Sequence, residues 1–215
     1  MSRTPRDTIT WGMMLRKLPS IAKAIPRVVK GMKVANVKDP TQACGLGWSF
    51  EQATLRNPQG PALLYGEVTL TYAQVNEWAN RIAHHLIAQG IGKGDVVAVF
   101  IENRPELLVT ILAVAKVGAI SALLNTSQTR DTLVHSLNLV APVAIVVGEE
   151  LVAAFLAVRE RVSMAQARTW FVADRDTYSH PGVSPEGFVN LMTASLDNAC
   201  DNPVSSRQVF FDDPC

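Results

Sequence analysis

The sequence has little of what marks most specialised small proteins. Its 215 residues include three cysteines, Cys44, Cys200 and Cys215, odd in number, far apart and without a CxxC pair. That excludes a disulfide scaffold, a thioredoxin-like motif and a zinc knuckle, and reads as reduced cytosolic thiols. Aromatic residues make up 7% and charged residues 18%, the latter below the roughly 25% usual in globular domains. Repeats and low-complexity tracts are absent. No secretory leader is legible, because Pro19, Pro26 and scattered lysines interrupt every apolar run within residues 1–38. The longest apolar stretch, residues 107–124, carries Lys116 at its middle and Gly118 beyond it, which reads as a buried helix followed by a buried strand and not as a membrane span. What is present is apolar substance, 48% of the chain, enough for one sizeable domain with or without an appendage.

Charge divides the chain in two. The formal net charge is +1, yet residues 1–38 hold nine Lys or Arg against one acid, and the remainder is mildly acidic. An acidic body gives no support to nucleic-acid binding, whereas a basic arm suits an anionic surface. Within the arm, Trp11, Met14, Leu15, Leu18, Ile21, Ala22, Ile25, Val29 and Met32 recur at three- and four-residue spacing, and Arg16, Lys23, Arg27 and Lys30 fall on the opposite face. Pro19 and Pro26 are expected to kink this helix or divide it. The pattern fits a helix lying in a membrane interface; a stripe packed on the protein's own body fits it too.

Beyond the arm the periodicity changes. Residues 62–65 and 68–70 flank Gly66-Glu67 as a short hairpin. Thr71 and Gln74 have the spacing of a capping box and predict a helix that runs to Gly90. Apolar runs without alternation follow at 96–101, 119–124, 143–147 and 170–172, separated by helical segments at 104–117, 129–139 and 149–161. Continuous apolar strands alternating with helices mean a parallel sheet covered on both faces, an α/β fold. Asn103 is expected to cap the helix at 104–117, with Pro105 in its first turn and Glu106 complementing its dipole. A short helix is expected within 188–196, and a strand-like run at 209–211.

Several tempting motifs fail on context. Gly90-Ile91-Gly92-Lys93-Gly94 follows a helix and precedes a strand, the reverse of a phosphate loop. His84 and His85 are adjacent, so they point about 100° apart and cannot share a metal from one helix. His135 and His180 have no ligand cluster at suitable spacing, and Gly182-Val183-Ser184-Pro185 departs from the nucleophile elbow. Asn125-Thr126-Ser127 reads as a cap for the next helix. A free-standing flavodoxin-like nucleotide binder is disfavoured for lack of a glycine- or hydroxyl-rich βα turn.

The stretch LTYAQVNEWANRIAHHLIAQGIGKGDVVAVFIENRPELLVTILAVAKVGAISALLNTSQTRDTLVHSLNLVAPVAIVV, residues 70–147, resembles the N-terminal region of the acyl-adenylate-forming superfamily, the acid–CoA ligases. Leu70-Thr71-Tyr72, Asn80-Arg81, Gly94-Asp95-Val96-Val97-Ala98, Asn103, Pro105-Glu106 and Lys116-Val117-Gly118-Ala119 carry the likeness jointly. Ala122-Leu123-Leu124-Asn125-Thr126 and Leu133-Val134-His135-Ser136 resemble the branch of very-long-chain acyl-CoA synthetases and fatty acid transport proteins.

The resemblance implies a mainly parallel, doubly wound sheet, the N-terminal subdomain of that fold, incomplete, over residues 48–215, preceded by the basic amphipathic arm at 1–38. It implies ligation of a fatty acid to coenzyme A through an acyl-adenylate, with ATP and Mg²⁺. The family's TSGTTGxPK-like loop should come just after a strand such as 209–211, and this chain ends at Cys215 before it. No catalytic, cofactor-binding or metal-binding residue of the family can therefore be carried onto this chain, and the 215 residues alone are expected to be inactive. A family that takes fatty acids at membranes favours the interfacial reading of the arm, peripheral to the cytosolic face, and leaves a homodimer open. The alternative reading is a non-catalytic, membrane-associated binding or regulatory domain derived from the same fold.

Overall fold

The computed structural model describes residues 11–35, 41–163, 168–173 and 184–214. The chain divides into two units, Met1–Gln42 and Ala43–Cys215. The first contains helix α1, Trp11–Ala35, with Pro19 and Pro26 inside it. The expected division is not what the structure has, for one helix of 25 residues runs across both prolines. A proline ring removes one backbone donor but leaves the flanking i to i−4 bonds intact, and 25 residues supply enough of them.

The second unit opens with α2, Leu46–Arg56. The hairpin β1, Pro61–Tyr65, and β2, Val68–Thr71, turns at Gly66, whose φ of +54° suits the left-handed region. Helix α3, Tyr72–Ala88, begins in a capping box: Gln74 N–H donates to Thr71 Oγ1 at 3.3 Å, and Thr71 N–H donates to Gln74 Oε1 at 2.9 Å. Then β3, Val96–Phe100, α4, Pro105–Val117, β4, Ile120–Leu123, α5, Arg130–Val140, and β5, Ala144–Gly148, alternate as expected. The remainder is shorter: α6, Val152–Leu156, β6, Arg168–Val172, β7, Val189–Asn190, α7, Leu191–Ala194, and a 3-10 turn at Val204–Gln208.

Five parallel strands form one sheet in the order β4-β3-β5-β6-β7. Alternate residues sort its two cores. Val97, Val99, Ala144, Val146, Trp170 and Val172 pack with Ala79, Ile82 and Leu86 of α3 and Val109, Leu112 and Ala113 of α4. Ala98, Phe100, Ile145, Val147 and Phe171 pack on the other face with Leu133 and Leu137 of α5 and Phe155 of α6. Both faces are covered, so apolar residues fill consecutive positions, as in Val96–Phe100 and residues 144–147, and do not alternate in sequence.

Four local expectations are corrected. Asn103 does not cap α4, because the residue before Pro105 is driven into extended backbone and Arg104 takes the cap position at φ −150°. Asn125 does not cap α5; its Oδ1 accepts from Ser127 N–H at 3.0 Å and Ser127 Oγ at 2.7 Å, an Asx turn, and the cap position falls to Thr129. The helix expected at 149–161 is broken into a 3-10 turn Glu149–Leu151, α6 and a 3-10 turn Arg159–Arg161, with Leu151 and Val158 near ψ 0° in the bridge region. Residues 209–211 do not form a strand. Val209 C=O accepts from Cys44 N–H at 3.1 Å and Phe210 N–H donates to Asp213 Oδ2 at 2.6 Å, which turns the chain. The helix expected within 188–196 is four residues long and is capped by Asn190 Oδ1.

Candidate functional site

The sheet reverses its winding at β3, which has β4 on one side and β5 on the other. In open α/β sheets the crevice outside the carboxyl ends of the strands at such a point is the usual ligand position. A buried arginine lies among the strand ends on this side of the sheet. Arg104 is 5% exposed; its Nη1 donates to Ala173 C=O at 2.8 Å, and its Nη2 donates to Val172 C=O at 3.0 Å and to Glu150 Oε2 at 3.1 Å. Glu106, fully buried at the start of α4, lies 3.3 Å from Arg104 Nη1, and Glu150 Oε1 also accepts from Glu102 N–H at 2.7 Å. One guanidinium thus ties the carboxyl ends of β5 and β6 to the start of α4. Glu106 and the imino nitrogen of Pro105 occupy a helix terminus that would otherwise attract an anion.

A second buried cluster lies among the helices at the other end of α4. Lys116, with no exposed surface, donates to Glu51 Oε1 at 2.8 Å and to Asn202 Oδ1 at 3.2 Å. Asn202 Oδ1 also accepts from Asn76 Nδ2 at 2.9 Å and Asn80 Nδ2 at 3.0 Å, and Asn80 Nδ2 donates to Cys200 C=O at 2.7 Å. Ser205 Oγ donates to Lys116 C=O at 2.7 Å. Burial pushes the Lys116 ammonium below its ordinary value, against the pull of Glu51. Gly47 makes the approach possible, since a Cβ there would stand 2.8 Å from Lys116 Cα. The cluster joins α2, α3 and α4 to the segment that carries Asn202.

Neither cluster was assigned chemistry from sequence. The signal was a lysine inside an apolar helix and an Arg-Pro-Glu at a helix start; the partners Glu51 and Glu150 lie 65 and 46 residues away. A shallow cavity of about 470 Å³ lies near Ile87, Ile91, Lys93, Val117 and Val204. Lys93 at its rim is committed to Asp213, 2.6 Å away, and stands over the Phe210 ring. Lys93 and the Phe210 N–H hold the Asp213 carboxyl below its ordinary range.

Of the residues expected to face a membrane, Trp11, Leu18, Ile25, Val29, Arg16, Lys23 and Arg27 lie on α1 with exposed side chains. Met14, Leu15, Ile21, Lys30 and Met32 fall within the same helix, and their side chains lie outside the described residues. His180 and residues 181–183 lie outside them as well.

Mg²⁺ finds no ready ligand set among the described residues. No group of three His, Cys, Asp or Glu among them is placed to hold a metal. The carboxylates nearest the strand ends, Glu106 and Glu150, are engaged by Arg104.

Comparison with known proteins gives the class of this doubly wound parallel unit. The sequence model of the AMP-binding enzyme family matches residues 50–199, and the chain belongs to that family. It is similar to the medium/long-chain-fatty-acid–CoA ligase FadD6 of Mycobacterium tuberculosis, 33% identical over 138 residues, covering 64% of this chain and 23% of the relative. It is also similar to long-chain fatty acid transport protein 6 of Mus musculus, 30% identical over 156 residues, covering 72% of this chain and 24% of that protein. The chain thus spans about a quarter of the length of these two relatives. Among solved structures it matches the N-terminal domain of FACL13 from Mycobacterium tuberculosis with a TM-score of 0.62 at 25% identity, over 75% of this chain and 38% of that one. The anthranilate CoA ligase AuaEII shares the fold with a TM-score of 0.68 at 17% identity, over 80% of this chain and 31% of that one.

Proposed function

We propose that these 215 residues are the N-terminal portion of an AMP-forming fatty acyl-CoA ligase acting on long or very long chains. In the whole reaction the fatty acid carboxylate attacks the α-phosphorus of ATP and releases pyrophosphate. The thiol of coenzyme A then displaces AMP from the acyl-adenylate. The observation that carries this reading is the family match over residues 50–199, which overlies the parallel α/β unit. The named activities of the ligase and transport-protein relatives supply the fatty acid.

Residues 1–215 contribute the scaffold in this proposal, and ATP, Mg²⁺ and coenzyme A are assigned to no residue of it. The chain alone therefore completes neither half-reaction. The protein works as a peripheral enzyme at the cytosolic face of a membrane, held there by α1, since its substrate partitions into bilayers. The test is fatty-acid-dependent pyrophosphate release, measured on the native polypeptide captured with an antibody to residues 48–200 and on the purified 215-residue chain. Turnover is expected from a native species heavier than 23.4 kDa and none from the 215 residues alone. Robust turnover by the 215 residues, or none by a longer native species, overturns the reading.

A further inference from the structure

We infer that α1 takes an anionic phospholipid bilayer as its partner, lying in the plane of the surface at headgroup depth. The inference rests on the membrane-surface reading above and adds to it the chemistry of the lipid and the depth of the helix.

Charge gives the partner. Residues 11–35 carry Arg16, Lys17, Lys23, Arg27, Lys30 and Lys33 and no acid at all. Arg16, Lys23 and Arg27 project from the side opposite Trp11, Leu18, Ile25 and Val29, and all seven side chains are exposed. A surface with apolar residues along one side and unopposed cations along the other complements an interface of acyl chains below and phosphodiesters above.

The backbone gives the depth. Pro19 and Pro26 are seven residues apart, close to two helical turns, so the carbonyls they deprive of amide donors fall on one side of α1. Those carbonyls belong to Leu15 and Ala22, two positions of the apolar pattern read from the sequence. In hydrocarbon a carbonyl without a donor is heavily penalised, whereas at the headgroups water and lipid hydroxyls or ammonium groups can donate to it. The helix therefore stays shallow. Among the described residues no helix is long and apolar enough to cross a membrane.

The experiment uses the 215-residue chain with vesicles of phosphatidylcholine alone or mixed with phosphatidylglycerol. Flotation should show binding to the mixed vesicles about a hundredfold tighter, the contribution of three or so cations near an anionic surface. The variant Arg16→Glu/Lys23→Glu/Arg27→Glu should lose that preference while keeping the circular dichroism of the folded body. Trp11 fluorescence, taken as the difference from Trp11→Phe, should be quenched by probes near the headgroup and not by probes deep in the acyl chains. The variant Pro19→Ala/Pro26→Ala should shift that quenching deeper. Equal binding to both vesicle types, or binding to neither, overturns the lipid assignment, the second outcome favouring a stripe packed on protein. Deep quenching of the unaltered chain overturns the depth. No readout depends on turnover, so failure here leaves the ligase reading standing, and an inactive enzyme leaves this one.

Discussion

The Lys116 ammonium stands 2.8 Å from the Glu51 carboxylate, and both side chains are shut away from solvent. They come from α4 and α2, and Asn202 accepts from the same ammonium. Removing one partner leaves the other charge buried without compensation. Lys116→Met is expected to cost about 3–5 kcal/mol of unfolding free energy, measured by urea denaturation of the chain. Lys116→Met combined with Glu51→Leu should recover most of that loss, because a well-packed apolar pair is close to neutral against a buried ion pair. A single variant as stable as the parent would show that the pair carries no such burden.

Gly47 lies four residues before Glu51 on the same face of α2, where the helix crosses Lys116. A methyl group there would meet backbone, which cannot swing aside as a side-chain tip can. Gly47→Ala is therefore expected to destabilise the unit by about 1–3 kcal/mol despite the better helix propensity of alanine. Gly12, which has open space around it, is the control and should tolerate alanine. Similar melting temperatures for the two variants would contradict the close approach.

How much of this was legible follows from range. The hairpin, the capping box at Thr71 and the parallel strands were readable because each is written in neighbouring residues: turn chemistry, i to i+3 spacing and unbroken apolar runs. The Arg104 and Lys116 clusters were not, since their partners come from elements dozens of residues away. Asn103 misled for a local reason: the cap preference of asparagine lost to the constraint that Pro105 places on the residue before it. Val209, Phe210 and Phe211 have strand composition, yet Cys44 N–H and the Asp213 carboxylate take the backbone groups a sheet would need.

The Arg104 guanidinium pairs with both Glu106 and Glu150. Arg104→Met is expected to cost about 3–5 kcal/mol, because Glu106 is fully buried and loses its guanidinium. Arg104→Lys should recover only part of this, since a single ammonium cannot span two strand-end carbonyls and a carboxylate as the planar fork does. Glu150, partly exposed, should cost less: Glu150→Gln keeps an acceptor for Glu102 N–H and is expected to lose about 1 kcal/mol. Thermal denaturation of the three variants side by side gives the ranking, and a Glu150→Gln loss larger than that of Arg104→Met would refute it.

His85 sets an acid limit on stability. Its ring packs edge-on against Trp170 with centroids 5.9 Å apart, and its Nε2 is buried with no hydrogen-bond partner among the described residues. Burial lowers its pKa from the ordinary 6.5, so the folded chain resists the proton that the unfolded chain takes up. Between that lowered value and 6.5 the unfolded state binds more protons, and stability rises with pH through this window. Acidification from neutral pH should therefore weaken the fold, and the loss ends once both states are protonated. His85→Phe keeps an aromatic ring against Trp170 and removes the titration. Its urea midpoint should fall less than the parent's as the pH drops from neutral through 6.5, and parallel pH profiles for the two proteins would sink the assignment.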